Sequence, residues 1–412
     1  MKPLGPIPDG FAAIDGELAI AGHKASALVA QAGRTPLFVY DAGLLRGRVA
    51  RLRAAMPARL RLHYAVKANP YGPLLAVMAG LVDGFDIASG GELSLAEAVG
   101  IDPLRISFAG PGKRDAELEA ALARGVTLNL ESAREAERAM DIAARLGVTP
   151  RLAIRVNPAF TLQGSGMKMG GGAKPFGVDA DQVPALARRL VEAGCDWRGF
   201  HIFAGSQALD AGAIAETQGQ ALELAARLAE EAGVPLPKCN LGGGFGIPYF
   251  PGDKPVDVEA VGAALGDRFE SLPPVLRETE FCIELGRYLV GEAGVYLTRI
   301  VDRKESHGET YLVTDGGLHH QLAASGNFGT VVRRNYPVAI ASRFGAEVEE
   351  EASVVGCLCT PLDRLADKAG FPHADEGDLV AVFCAGAYGA TASPMMFLGQ
   401  GPAAEILVDP ER

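Results

Sequence analysis

Four short runs near the start of the chain decide the fold: Leu62-His-Tyr-Ala-Val-Lys-Ala68, Phe85-Asp-Ile-Ala88, Ile106-Ser-Phe-Ala109 and Val126-Thr-Leu-Asn-Leu130. Each has β-forming character. Helical stretches follow them, such as Arg114–Ala123, whose apolar residues recur near a 3.6-residue period. The alternation continues through Leu152–Val156, Gly199–Ala204, Cys239–Leu241 and Phe281–Glu284, with helical segments at Ser132–Leu146, Val183–Ala193 and Ile214–Ala232. Eight strand–helix units over this length predict a closed (β/α)8 TIM-type barrel, which typically takes about 250 residues. A doubly wound open sheet is the alternative that periodicity leaves open.

Beyond Gly286 the helical stretches give way to Val290–Arg299, Thr310–Thr314, Ser353–Cys359 and Leu379–Phe383, bounded by Gly, Pro and Asp. That texture predicts a C-terminal antiparallel β-sandwich or barrel domain, to which the opening stretch, with Glu17–Ile20 and Pro36–Tyr40, lends a strand. The expected organisation is an N-terminal segment 1–35 contributing to the β domain, a barrel over 36–287 and the β domain over 288–412.

The 412 residues carry 39 Lys plus Arg against 50 Asp plus Glu, a net charge of −11. That balance argues against a nucleic-acid partner, which needs phosphate-neutralising cations. No apolar run approaches the ~18 residues of a bilayer span, and the Pro- and Gly-containing N-terminus does not read as a signal peptide, so no membrane role is expected. The six cysteines are scattered in mostly apolar surroundings, as reduced thiols of a cytoplasmic protein are. Cys357-Leu-Cys359 lacks a second Cys/His pair at ligand spacing, so no metal is expected. Glycine, at 52 residues, is in excess and implies turns or close approach of backbone to a ligand.

Active sites of such barrels gather at the C-terminal ends of the strands. Strand one ends in His63-Tyr-Ala-Val-Lys67-Ala-Asn69-Pro70. A lysine there is either a snorkelling surface group or an amine able to form an imine. Strand seven ends in Gly242-Gly243-Gly244, either a plain turn or a nest of backbone N–H groups suited to phosphate. The Rossmann spacing fails, since Ile247 stands where the third glycine belongs, and no Gly-Lys-Ser/Thr ending supports a P-loop. Strand eight ends in Glu284-Leu-Gly286-Arg287, an acid and a guanidinium that either pair or serve two ends of one ligand. Strand six, His201-Ile-Phe203-Ala-Gly-Ser206-Gln207, adds an aromatic ring and a hydroxyl. Amine, phosphate nest, carboxylate and aromatic face are what pyridoxal 5'-phosphate requires.

Tyr64-Ala-Val-Lys67-Ala-Asn69, Phe85-Asp86-Ile-Ala-Ser89, Gly242–Gly244, Glu284-x-Gly286-Arg287 and Gly386-Ala-Tyr388 together resemble the fold-type III pyridoxal-phosphate decarboxylases, the group that includes the diaminopimelate and ornithine enzymes. The resemblance covers essentially the whole chain, with the motifs in family order. It implies that Lys67 is the Schiff-base lysine and that Ser206, Gly242, Gly243, Gly244, Gly286 and Tyr388 contact the cofactor. Glu284 then faces the pyridine nitrogen and Arg287 meets phosphate or substrate. Asp86, Glu92 and Arg155 fall where the family keeps supporting polar residues. Gly356-Cys-Leu-Cys359 matches the segment whose cysteine reaches the active site of the other copy in a head-to-tail homodimer, which makes Cys359 the proton donor to Cα.

The departures bear on substrate. The family's stacking histidine is here Phe203, with His201 two residues earlier. Thr360 stands where the diaminopimelate and ornithine enzymes have an acid that reads the distal amino group, and Tyr388 and Arg287 are the other expected substrate contacts. In Asp315-Gly-Gly-Leu-His-His-Gln-Leu322-Ala323, Ala323 replaces an arginine that reads diaminopimelate's distal carboxylate. Unpaired charged groups there would be costly. Gly164–Gly172, Lys174-Pro-Phe-Gly177 and His201–Gln207 are similar to the exosortase-associated and L-glutamyl carrier-protein decarboxylases. The resemblance therefore implies loss of the α-carboxylate from a small amino acid or from one held on an acyl carrier protein. Diaminopimelate decarboxylase proper is the alternative; a racemase and a non-catalytic homologue are the more distant ones. Arg46, Arg48, Arg51, Arg53, Arg59 and Arg61 form a local basic group that reads as a solvated helix face or as a dock for an acidic carrier.

Overall fold

Eight parallel strands close on themselves in the computed structural model, which describes residues 1–326 and 334–410. They are β1 (Arg61–Ala65), β2 (Gly84–Ile87), β3 (Ile106–Phe108), β4 (Thr127–Leu130), β5 (Arg151–Asn157), β6 (Asp196–Ile202), β7 (Lys238–Gly243) and β8 (Glu280–Leu285). Neighbours pair in chain order. β8 returns to β1 through Glu284 opposite His63, and β4 to β5 through Asn129 opposite Ala153, so the sheet is a barrel and not an open doubly wound sheet.

The crossover helices are set by local chemistry. Ser132, Asp210 and Asp257 cap the helices Ala133–Leu146, Ala211–Ala232 and Val258–Glu270, each accepting a hydrogen bond from a backbone N–H three residues on. Gly147 and Gly233 end the first two in the left-handed conformation. Ala136, Ala139, Ile142 and Ala143 form the buried stripe of Ala133–Leu146, an amphipathic spacing that fixes which face meets the sheet.

Most strand ends shift by one to three residues from the sequence reading, and two of these shifts matter for the site. β1 stops at Ala65, and Val66–Ala68 forms a single 3-10 turn that carries Lys67. The Tyr64 hydroxyl donates to the Asn69 carbonyl at 2.8 Å, across the turn, and Asn69 Oδ1 accepts from Tyr71 N at 3.0 Å, so Asn69 anchors the exit of the turn. β6 stops at Ile202, and Gly205–Ser206 forms an antiparallel bridge with Met167–Lys168 of the glycine-rich loop.

The chain divides into two compact units: Val49–Gly246 with Pro255–Gly286, which holds the barrel, and Met1–Arg48 with Ile247–Lys254 and Arg287–Arg412. The second unit is built on an eight-stranded mixed sheet. Leu37–Asp41 pairs antiparallel with the start of Gly294–Ser306 and parallel with Ala404–Val408. Glu309–Thr314 runs parallel to Glu350–Val355, which pairs antiparallel with Arg364–Phe371. Leu37, Val39, Val295, Leu297, Ala381 and Phe383 form its core, joined by Leu18 and Ile20 from a small three-stranded sheet near the N-terminus.

Candidate active site

Lys67 sits exposed on its turn at the C-terminal end of β1, with Nζ 5.7 Å from the centroid of the buried Phe203 ring after β6. Glu284, on β8, is 8% exposed and stands 3.0 Å from His201 Nε2; Asn240 Nδ2 donates to the same oxygen at 3.2 Å. Burial alone pushes the Glu284 carboxyl upward. The His201 charge and hydrogen bond, then Lys67 and Arg155, outweigh it and hold the group down at about 2. Glu284 is therefore an ionised acceptor despite its burial.

The Gly242–Gly244 loop is glycine by necessity. A Cβ on Gly243 would lie 1.9 Å from the Glu284 carbonyl oxygen, and one on Gly244, at φ +84°, 2.3 Å from that of Gly205. Asn240 Oδ1 accepts from Gly242 N at 2.8 Å and shapes the turn. The Ser206 segment lies alongside, since Ala208 N donates to Gly244 O at 2.9 Å. The loop 164–172 closes over that segment, with Met169 N donating to Ala204 O.

Three expected supporting residues take specific places. Arg155 Nη1 donates to Glu131 Oε1 at 2.8 Å, its guanidinium lies 4.9 Å from the Phe176 ring, and Gly177 N donates to the other Glu131 oxygen. Asp86 stands 3.2 Å from His63 Nδ1 inside the barrel. Glu92 accepts from Ala88 N at the start of its helix, while Ser89 Oγ accepts from Glu92 N. Burial raises the Glu92 carboxyl. Gly286 packs so closely that a Cβ would meet that of Ala68 at 2.7 Å.

In the other unit, Arg287 Nη1 donates to the Tyr249 hydroxyl at 2.7 Å, and its guanidinium lies 4.7 Å from the ring centroid of Tyr388, whose φ is +54°. Arg287 Nε is buried without a partner. Burial pushes the Tyr249 hydroxyl up to about 12, so it stays a neutral acceptor for the guanidinium. Cys359 is exposed on the turn 356–363. Asp363, 2% exposed, accepts from Leu318 N at 2.6 Å and Leu358 N at 2.9 Å, and Thr360 Oγ1 accepts from Leu362 N.

Sequence reasoning misses Asn240, Glu131, Phe176 and Tyr249. A buried Asn two residues before a glycine nest and an acid directly after β4 are legible signals; Tyr249, in an irregular loop, carries none. The arginines of the basic group are internally occupied. Arg46 binds Asp409 through two hydrogen bonds of 2.8 and 2.7 Å, Arg48 pairs with Glu292, Arg51 with Glu259, and Arg53 and Arg61 with Asp83. Arg59 donates to the carbonyls of Arg277 and Thr279.

A lysine on a barrel rim, beside an aromatic face, an ionised buried carboxylate and a glycine cradle, defines a pyridoxal-phosphate type of site. The residues fit that group. The cradle leaves no room for side chains at Gly243 and Gly244, the amine is free of the barrel core, and the carboxylate is charged as a pyridinium partner must be. Residues 42–291 match the family model described as the pyridoxal-dependent decarboxylase, pyridoxal binding domain. The chain is 35% identical over 380 residues to the L-glutamyl-[BtrI acyl-carrier protein] decarboxylase of Niallia circulans, covering 90% of this chain and 88% of that one. It is 32% identical over 402 residues to the diaminopimelate decarboxylase of Methanothermobacter thermautotrophicus, covering 95% and 91%. A solved structure from Aquifex aeolicus superposes with a TM-score of 0.83 at 30% identity, covering 98% of this chain and 93% of that one. The chain belongs to the pyridoxal-dependent decarboxylases and is a carboxy-lyase that uses pyridoxal phosphate. Among the described residues no helix is long and apolar enough to cross a membrane, and no group of His, Cys, Asp and Glu could hold a metal ion.

Proposed function

We propose that this decarboxylase removes the α-carboxylate from an amino acid presented as a carrier-protein thioester, and that it works as a cytoplasmic homodimer with shared sites. The observation that carries the substrate reading is the turn 356–363. Its one acid, Asp363, is buried and committed to the Leu318 and Leu358 amides, while Thr360 and Ala323 offer no charge. A substrate with a free distal ammonium and carboxylate finds no partner in these residues, whereas a thioester has no distal charge to satisfy. The 35% identity to a carrier-protein decarboxylase supports the same reading.

Bound pyridoxal phosphate supplies an electron sink for the electron pair left at Cα when CO2 departs. Lys67 holds the cofactor through its amine and is the group a substrate amine displaces. Gly242, Gly243, Gly244 and Ser206 bind phosphate, with Tyr388 and Arg287 as further contacts to phosphate or substrate. Glu284, ionised, holds the proton on the ring nitrogen, and His201 and Asn240 hold Glu284. Phe203 would offer its ring to the cofactor and exclude water from that side. Asp86, Glu92 and Arg155 would support the cofactor as polar neighbours. Cys359, contributed by the second copy, delivers the proton to Cα. An ionised acid at the ring nitrogen favours decarboxylation over racemisation, which an arginine at that place serves by weakening the sink.

Carbon dioxide release from glutamyl-carrier thioester, free glutamate and meso-diaminopimelate tests the reading. Turnover of the thioester at a kcat/KM at least tenfold above the free amino acids is expected; equal or faster turnover of diaminopimelate would sink it. Lys67→Ala is expected to lose both turnover and the absorbance near ~420 nm of the lysine-bound cofactor.

A further inference from the structure

The barrel carries an unusual cavity at the end opposite to Lys67. TIM barrel interiors are ordinarily packed by layers of bulky branched side chains. Here the lower layers include the small residues Ser107 and Ala153 among charged ones, leaving about 320 Å³ at the N-terminal mouth. That volume lies at the lower end of the range for small-ligand pockets, about 300–1,000 Å³. The lining begins at the first residues of several strands: Arg61 of β1, Arg151 of β5, Lys238 of β7 and Glu280 of β8.

The charge there is opposite in sign to that of the chain, which is −11 overall. Arg61, Arg105, Arg151, Arg198 and Lys238 line the cavity against the carboxylates Asp83 and Glu280. Asp83 is shared between Arg53 at 2.9 Å and Arg61 at 3.6 Å, and Lys238 has Glu280 at 3.2 Å. Arg151 and Arg198 share Asp196, at 3.4 and 3.5 Å, both beyond good hydrogen-bond length, and Arg151 Nη1 donates instead to the neutral carbonyls of Gly125 and Leu104, which leave its charge unmatched. Arg198 Nε is buried with no hydrogen-bond partner. The mouth therefore gathers more positive charge than its carboxylates neutralise and leaves a guanidinium donor unsatisfied, an arrangement that costs stability unless an anion completes it. Burial and the like charge of Arg198 both push Arg151 down, in keeping with that shortage.

We propose that the N-terminal mouth of the barrel is a second ligand site, which takes a small multivalent oxyanion of the phosphate or tricarboxylate kind through Arg151, Arg198 and Lys238. The three cations come from three strands, so a ligand with several charged oxygens can bridge them, whereas a halide meets only one. Guanidinium forks also favour planar or tetrahedral oxyanions over point charges. The site lies at the floor of the barrel and does not depend on the substrate reading above.

Isothermal titration calorimetry on the holoenzyme, at ionic strength held constant with potassium chloride, tests this with inorganic phosphate and with citrate as separate probes. Absorbance near ~420 nm reports that the cofactor stays in place. One-to-one saturable binding of at least one probe is expected, and which probe binds identifies the source class. Arg198→Met and Lys238→Met should each weaken it roughly tenfold or more, as loss of a charge-assisted contact does. Arg188→Met, on the barrel's outer helix, should leave it unchanged. Absence of saturable heat with both probes overturns the site, as does equal affinity in wild type and in folded Arg198→Met and Lys238→Met.

Discussion

At the scale of single residues, the site rests on one buried hydrogen-bonded carboxylate. Glu284 accepts from His201 and Asn240, and its carboxyl is held near 2 although burial opposes ionisation. A carboxyl depressed in the folded state contributes stability that is complete above its unfolded value, 4.5 here, and is lost as pH falls through about 2. His201→Leu removes the partner but not the burial, so the carboxyl moves up. The expected result is a kcat roughly 10- to 100-fold lower, with the acid limb of the kcat/KM profile moved to higher pH. His201→Gln can still donate one hydrogen bond and should recover part of the loss. An unmoved acid limb in His201→Leu would show that His201 does not set the state of Glu284. Lys67 and Glu284 are legible in the sequence because a charged residue closing an apolar run stands out from it, although the structure places Lys67 on the turn after the strand. Asn240 and Tyr249 are not, because their meaning comes from a neighbour across the fold.

At the scale of elements, the glycines separate those that shape the site from those that merely turn. Gly243 on β7 sits opposite Glu284 on β8, and its absent side chain lets the two strands close. Gly172, also glycine with φ +86°, has nothing within 4 Å of the place a Cβ would occupy. Gly172→Ala should therefore cost only the conformational penalty, about 1 kcal/mol, and leave cofactor binding within twofold. Gly243→Ala must push β7 from β8 and is expected to weaken pyridoxal phosphate binding at least tenfold, read by titration of the apoenzyme. Equal effects of the two substitutions would remove the cradle argument. The barrel strands are legible because short apolar runs bounded by turn residues recur at a regular interval. Arg364–Phe371 is not, because Asp367, Lys368 and Gly370 break its apolar pattern; it forms because Glu350–Val355 offers it a pairing edge. The turn at Lys67 is hidden for a different reason: three residues are too few to carry a period, and local side-chain hydrogen bonds of Tyr64 and Asn69 set it.

At the scale of the whole molecule, charge says less about partners than its local sum suggests. The helix Ala42–Ala55 carries arginines that look available in sequence, yet each is spent on an acid of its own unit. Arg46 grips Asp409, just past Ala404–Val408, the strand that pairs with Leu37–Asp41. It thereby ties the far end of the chain to the sheet. Arg46→Ala should therefore cost roughly 1–3 kcal/mol, the worth of a charge-assisted hydrogen-bonded pair, seen as a lower Tm. The KM for a carrier-linked substrate should stay within twofold. Arg51, whose pair with Glu259 is exposed on both sides, is the control: Arg51→Ala should change stability by less than about 1 kcal/mol and KM not at all. If Arg51→Ala instead raised the carrier KM tenfold, with a penalty that fades as salt is added, the helix would be a docking surface after all. Its ion pairs would then be contacts that an acidic carrier exchanges for its own.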